Sequence, residues 1–244
     1  MIKFFCFFIF FIGTTGLCDV LDSRGKSFEE KEYKRIITLT PGIAEQVCDL
    51  LENNLGSIVG VVEYTNFPRP LLKKAKVGSY SSLSLERIVQ LKPDLIIGTR
   101  QGNPRKQIQK LESLGFTVFI LDINTVKELN HSYSLLGKLL KKEKIASVWI
   151  EKINKAVQSF QKRNESKKKK GLIQVGFSPL IAMTKNSFLG ELLSFIGIES
   201  IFKSTHSYIR PSLERVVSLD PDFILIFGMN KNLKIKNQEI AYWK

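Results

Sequence analysis

The segment Ser84-Leu85-Glu86-Arg87-Ile88-Val89-Gln90-Leu91-Lys92-Pro93-Asp94-Leu95-Ile96-Ile97 recurs 128 residues later as Ser212-Leu213-Glu214-Arg215-Val216-Val217-Ser218-Leu219-Asp220-Pro221-Asp222-Phe223-Ile224-Leu225, with most positions identical. Solenoid repeats recur every 20 to 50 residues or so, so a single duplication at this long period predicts two similar lobes. Each copy reads as helix, turn and strand. Leu85, Ile88, Val89 and Leu91 stand at helical spacing, and Pro93 and Pro221 stop the helices. Leu95-Ile96-Ile97 and Phe223-Ile224-Leu225-Ile226 are short continuous apolar runs, the signature of strands buried on both faces of a parallel sheet.

The flanking segments continue the alternation. Arg35-Ile36-Ile37-Thr38-Leu39 is a strand candidate ending at Pro41, followed by a helix to about Glu52, a strand at Ile58-Val59-Gly60-Val61-Val62, and the first repeat copy. A helix from about Pro104 to Leu114 and a strand at Thr117-Val118-Phe119-Ile120-Leu121 follow. The second lobe restarts at Gly171 with Leu172-Ile173-Gln174-Val175, a helix over Leu189 to Ile196, and the second copy. Between the lobes, Val126, Leu129, Tyr133, Leu136 and Leu140, then Ile145, Trp149, Ile153, Val157 and Phe160, fall three to four apart. They predict one long helix, or two broken near Lys141 to Lys144. Asn164-Glu165-Ser166 and the run Lys167 to Lys170 read as a solvated joint, with a phosphate-binding patch as the alternative. The expected fold is therefore α/β, two similar lobes with parallel-rich sheets joined by a long backbone helix, a ligand cleft between them. The expected division is 1–18 signal peptide, 19–124 amino-terminal lobe, 125–166 linking helix and 167–244 carboxy-terminal lobe.

The signal reading rests on Lys3 ahead of the nine apolar residues Phe4 to Ile12, with small residues from Gly13 to Gly16 suited to cleavage. A membrane span needs about 20 apolar residues, which this run lacks. Export from a bacterial cytoplasm follows. Cys18 would permit a lipid anchor, but Leu17 stands where a lipobox wants a small residue, favouring cleavage to a soluble form. Cys48, within Ile43-Ala44-Glu45-Gln46-Val47-Cys48-Asp49-Leu50-Leu51, reads as a small core residue on a helix.

Lys and Arg number 37 against 23 Asp and Glu, giving a net charge of +14. The excess is scattered, with no aromatic-interleaved basic stripe, so nucleic acid is not expected as a partner. The chain has two histidines, His131 and His206, which excludes a site built on several imidazoles. The sequence has no G-x-G-x-x-G, no G-x-x-x-x-G-K-[ST], no G-x-S-x-G and no H-E-x-x-H. An enzyme, a metal site and a resident cofactor are accordingly not expected. Two α/β lobes with a cleft between them suit ligand capture instead, because ligands of open α/β sheets lie beyond the carboxyl ends of the strands. The loops at those ends carry Tyr64, Phe67, Tyr80, Phe177 and Tyr208, aromatic surface suited to a large, flat, partly apolar ligand, with packing of their own loops as the alternative.

Gly60-Val61-Val62-Glu63-Tyr64-Thr65-Asn66-Phe67-Pro68, Val77-Gly78-Ser79-Tyr80, Leu85-Glu86-Arg87-Ile88-Val89-Gln90-Leu91-Lys92-Pro93-Asp94-Leu95-Ile96-Ile97 and Gly102-Asn103 resemble the periplasmic substrate-binding proteins of ABC importers for vitamin B12, a family that also serves haem and iron-siderophore importers. The resemblance runs from about Arg35 to the end of the chain. It implies a periplasmic monomer with little hinge closure that carries cobalamin, or a similar corrinoid, as transported ligand to a transmembrane permease, haem or a ferric siderophore being the alternative. Residue by residue, it implies ligand contacts from Tyr64, Tyr80, Arg100, Asn103 and Tyr208, to which the reading of the strand-end loops adds Phe177. It also implies that Glu86 and Glu214 dock against permease arginines. One carboxylate per lobe suits a two-fold symmetric transporter; the alternative is that each merely favours the first turn of its helix. Thr99 stands where a B12 binder has tryptophan. The family continues past the segment resembling Ile240 to Lys244, so the second lobe is expected to be truncated, with an unpaired sheet edge.

Overall fold

The structure, a computed structural model, describes residues 19–52, 54–163 and 168–227, with 237, 240, 241 and 243 near the end of the chain. The signal-peptide reading, with Cys18, falls outside the described residues.

A hairpin of β1 (Asp19–Leu21) and β2 (Ser27–Glu29) precedes the first sheet. Then come β3 (Ile36–Thr38), α1 (Pro41–Leu51), β4 (Ile58–Val61), β5 (Ala75–Lys76), the small hairpin β6 (Gly78–Ser79) and β7 (Ser82–Leu83), α2 (Leu85–Leu91), β8 (Leu95–Thr99), α3 (Arg105–Ser113) and β9 (Val118–Leu121). The sheet order is β5-β4-β3-β8-β9 and every pairing is parallel. Side chains alternate across it. Ile36, Leu95, Ile97 and Phe119 enter a core shared with α1 and the linking helices, while Ile37, Ile96, Val118 and Ile120 enter a second core with Ile88 and Leu111 of α2 and α3. Period-two alternation with apolar residues on both faces is why these strands read as continuous apolar runs.

The duplicated segment has the same construction in both lobes. Ser84 and Ser212 cap α2 and the later helix α7 (Leu213–Ser218), accepting hydrogen bonds from the Arg87 and Arg215 amides. Lys92 and Asp220 both end their helices in left-handed backbone, φ 44° in each. Asp94 then accepts from the Lys34 and Arg35 amides at 2.8 and 2.9 Å, and Asp222 accepts from the Lys170 amide at 2.7 Å. This carboxylate fixes the repeat strand against the start of its neighbour, a physical reason for Pro-Asp in both copies.

The linking helices are two, α4 (Val126–Leu139) and α5 (Glu143–Arg163), separated at Lys141, which has φ 56°. They pack on α1: Tyr133 donates to Asp49 Oδ2 at 2.5 Å and stacks on Trp149, ring centroids 6.2 Å apart. Burial pushes the Tyr133 hydroxyl far above its ordinary range, with the Asp49 carboxylate adding to it, and raises Asp49 as well. Cys48 is buried in this core, its thiol pushed up to about 11 chiefly by desolvation.

The second sheet centres on β10 (Lys169–Gly176), with β11 (Ile181–Met183), α6 (Phe188–Phe195), β12 (Ile198–Ser200), β13 (Tyr208–Ile209), α7 and β14 (Phe223–Ile226). β10 pairs parallel with β12 and β14 and antiparallel with β11, which in turn pairs antiparallel with β13. The lobes are thus both α/β, but the second sheet is mixed where the first is wholly parallel. Of the lysine run, Lys169 and Lys170 belong to β10 rather than to a joint, the strand starting before Gly171; residues 164–167 lie outside the described ones. Leu95 to Thr99 of β8 are all buried between β3 and β9, whereas Phe223 to Ile226 of β14 are half-buried, with β10 on one edge among the described residues. The lobes meet where the Val126 amide at the start of α4 donates to Glu191 Oε2 of α6 at 2.6 Å, a carboxylate where the helix dipole favours one.

Candidate functional site

The parallel strands of the first sheet deliver four loops to one end of the lobe. β3 leads to Thr40, which caps α1 by accepting from the Ile43 amide. β4 leads to Tyr64 through Pro68, the β6–β7 hairpin carries Tyr80, and β8 leads to Arg100 and Asn103. From the second lobe, β10 leads to Phe177 and β13 carries Tyr208.

Four of these aromatics are solvent-facing: Tyr64 is 76% exposed, Phe67 66%, Tyr208 55% and Tyr80 37%. Phe177 is half-buried and engaged within the protein. Tyr64 has φ 63°, left-handed backbone that a bulky aromatic seldom adopts. Such strain persists where the surroundings hold it and concentrates at ligand-binding positions. Tyr64→Gly is therefore expected to stabilise the fold by about 1 kcal/mol in urea denaturation while removing the exposed ring; a loss of stability would show that the ring packs rather than projects.

Three cavities lie near these loops. One of about 980 Å³ is lined by Thr40, Phe67, Thr99, Ile123 and Tyr133 from the first lobe and linking helices, and by Phe188 from the second lobe. A second, of about 930 Å³, lies against Val175, Met183, Tyr208, Ile209, Arg210 and Phe227. A third, of about 580 Å³, includes Arg24, Arg100, Asn103 and Arg105. The expected ligand residues are thus divided: Tyr208 lines the second, Arg100 and Asn103 the third, and Tyr64, Tyr80 and Phe177 none of the three.

Asn103, expected as a ligand contact, has its side-chain amide engaged by backbone. It is 6% exposed, its amide donates to the carbonyls of Leu39 and Tyr80 at 2.9 and 3.0 Å, and its Oδ1 accepts from the Thr99 amide at 2.9 Å. Both donors are spent on backbone, so Asn103 has none to offer a ligand. It ties together the β3, β6–β7 and β8 loops and so holds the Tyr80 loop in place. Arg100 pairs with Asp122 at 3.1 Å and donates to the Ser23 carbonyl at 2.7 Å. His206 lies exposed, its carbonyl accepting from the Thr184 hydroxyl.

Ile123 and Phe188 were not expected as lining residues. Phe188 follows the capping Ser187 at the first position of α6 and reads in sequence as one more apolar residue of a helix. Another signal is present in the sequence itself. The 128-residue register extends upstream of the repeat to Ser79-Tyr80 and Ser207-Tyr208, so the exposed tyrosines of the two lobes are copies of one another.

The sequence matches the periplasmic binding protein family over residues 36–241. The vitamin B12-binding protein of Yersinia pseudotuberculosis serotype O:3 (strain YPIII) is 27% identical over 213 residues, 86% of this chain and 74% of that one. That of Vibrio campbellii is 27% identical over 201 residues, covering 81% and 72%. Among solved structures, the periplasmic vitamin B12 binding protein of Vibrio cholerae superposes with a TM-score of 0.71 at 26% identity, over 86% of this chain and 82% of that one. A periplasmic heme binding protein from Pseudomonas aeruginosa gives 0.75 at 20% identity, covering 86% and 77%, a likeness of fold.

Proposed function

The chain belongs to the periplasmic binding protein family, and from that premise we propose that it captures cobalamin, or a similar corrinoid, between its lobes and delivers it to the permease of an ABC importer. The observation that carries the reading is the pair Tyr80 and Tyr208, exposed copies of one position that bring an aromatic face from each lobe. Tyr64 and Phe67 add aromatic residues to the strand-end loops of the first lobe, and Phe177 to those of the second. Such rings suit the broad, partly apolar face of a corrin. The relatives named for vitamin B12 support this choice. Thr99, where a further large aromatic would be expected for cobalamin, favours haem or a ferric siderophore as the second reading.

The protein holds and hands over its ligand and performs no chemistry on it. It works as a monomer in the periplasm, reached through cleavage after the segment 1–18, and is built as lobes 19–124 and 167–244 around a connector at 125–166. Glu86 and Glu214, exposed at the same position of α2 and α7, meet cations on the permease. Glu214 is also held below the usual carboxylate range by its own backbone amide and by Ser212.

Titrating the purified chain with cyanocobalamin, hemin and a ferric siderophore, followed by Trp and Tyr fluorescence and calorimetry, tests the reading. Cobalamin is expected to bind with Kd of about 1 μM or tighter, near −8 kcal/mol. Binding of hemin or the siderophore alone would transfer the assignment to the second reading, and binding of none of the three by folded protein would overturn capture.

A further inference from the structure

Glu191 stands in the first turn of α6, and its carboxylate reaches the first turn of α4, where Oε2 accepts from the Val126 amide at 2.6 Å. Neighbouring amides at that helix start are served from within its own segment. Thr125 Oγ1 accepts from the Glu128 amide at 3.1 Å, and Glu128 Oε2 accepts from the Asn124 amide at 2.6 Å. The Glu191 carboxylate therefore lies where two helix N-termini meet, one from the second lobe and one from the connector. Each end carries about half a positive elementary charge, so the two repel unless an anion stands between them. Among the described residues other than Phe160, Phe177 and Trp243, this is the one hydrogen bond or ion pair that joins residues 168–227 to residues 19–163. Apolar contact surrounds the tie: Phe188, three residues before Glu191, and Ile123, three residues before Val126, line the same cavity of about 980 Å³. Apolar packing is non-directional and tolerates sliding, whereas a short charge-assisted hydrogen bond fixes a direction. Glu191 itself lines none of the three cavities near the strand-end loops.

We propose that Glu191 is a positioning residue for ligand capture, its carboxylate tying α6 to the start of α4 and so setting the angle between the lobes and the separation of Tyr80 from Tyr208. The inference rests on the reading that the ligand is held by both lobes. A ligand that bridges two lobes gains from the second only when it stands at the right spacing. A junction free to rock must be ordered as the ligand binds, which lowers affinity, and a junction already tied avoids that loss.

Spin labels on Lys110→Cys of α3 and Lys203→Cys of the second lobe, both exposed positions, report the interlobe distance of the ligand-free chain by electron–electron resonance; Cys48 is buried and stays unlabelled. The distribution is expected to be narrow with Glu191 in place, and wider or displaced by more than about 2 Å in E191A. E191Q, which keeps an acceptor for the Val126 amide without the charge, is expected between the two. The Kd for cyanocobalamin is expected to rise about tenfold in E191A and about threefold in E191Q. Tyr208→Ala should then weaken binding less in the E191A background than alone, because a ligand that has lost the spacing no longer engages both rings. Plain loss of stability would not produce that coupling. An unchanged distance distribution in E191A would overturn the tie, whatever happens to binding. A changed distribution with unchanged cobalamin affinity would overturn its part in capture. Failure of the unsubstituted chain to bind cobalamin would overturn the capture reading and the positioning role with it, while the distances decide independently whether Glu191 sets the lobe angle.

Discussion

Asn103→Asp is expected to destabilise the fold by about 4 kcal/mol at neutral pH and Asn103→Ala by about 3 kcal/mol, measured by urea denaturation. The alanine leaves the carbonyls of Leu39 and Tyr80 and the amide of Thr99 without their partner, and each buried polar group so orphaned costs about 1–3 kcal/mol before water compensates. Aspartate restores an acceptor for Thr99 but sets a charged oxygen against two carbonyl oxygens, where a carboxamide had donated. That environment disfavours the carboxylate, so its folded pKa lies above its unfolded value of about 4. Stability gained from the protonated form is then present below about pH 4 and lost as pH rises through the folded value. Relative to wild type, the variant should therefore lose less stability at pH 4 than at pH 7. Gly98→Ala should reproduce part of the loss, since a Cβ there would lie 2.7 Å from Asn103 Oδ1. Near-neutral behaviour of both Asn103 variants would mean that the three loops are held by other contacts. Because Asn103 holds the Tyr80 loop through the Tyr80 carbonyl, its loss should also weaken ligand binding.

Tyr80→Ala combined with Tyr208→Ala is expected to weaken cobalamin binding by about 100-fold or more, each ring contributing about 1.5 kcal/mol of contact. The two residues belong to different lobes, so their effects should add. At 37% and 55% exposure neither ring anchors a core, and the urea midpoint of the double variant should remain near that of wild type. Calorimetric titration of the single and double variants separates the possibilities. A double variant that binds as tightly as wild type would place the ligand elsewhere, the 980 Å³ cavity between α1, the linking helices and Phe188 being the next place to look. A loss from Tyr80 alone would show that the ligand rests on the first lobe and that the equivalence of the tyrosines has no bearing on capture.

Much of the fold could be read from the chain because its cause is local. The apolar runs Ile36-Ile37 and Leu95-Ile96-Ile97 are strands because neither face of their sheet meets water, a fact written into every position. The serine caps and Pro-Asp turns likewise act over a few residues, and the duplication repeats them intact in the second lobe. The apolar spacing shows the helical connector but leaves one helix or two open, and the structure breaks it at Lys141.

What sequence could not decide depends on which distant groups meet. Asn103 reads as a polar loop residue ready for a ligand, and only the approach of the Leu39 and Tyr80 carbonyls, 64 and 23 residues away, consumes its amide. Phe188 reads as core until the lobes meet and place it across from Phe67 and Ile123 in one cavity. The sequence by itself determined that this chain folds as two α/β lobes of one duplicated plan, because periodicity, capping and turn chemistry act within a few residues. The tertiary structure decided which side chains remain free to touch a ligand, because a hydrogen-bonding group is available only where no remote part of the chain has already satisfied it.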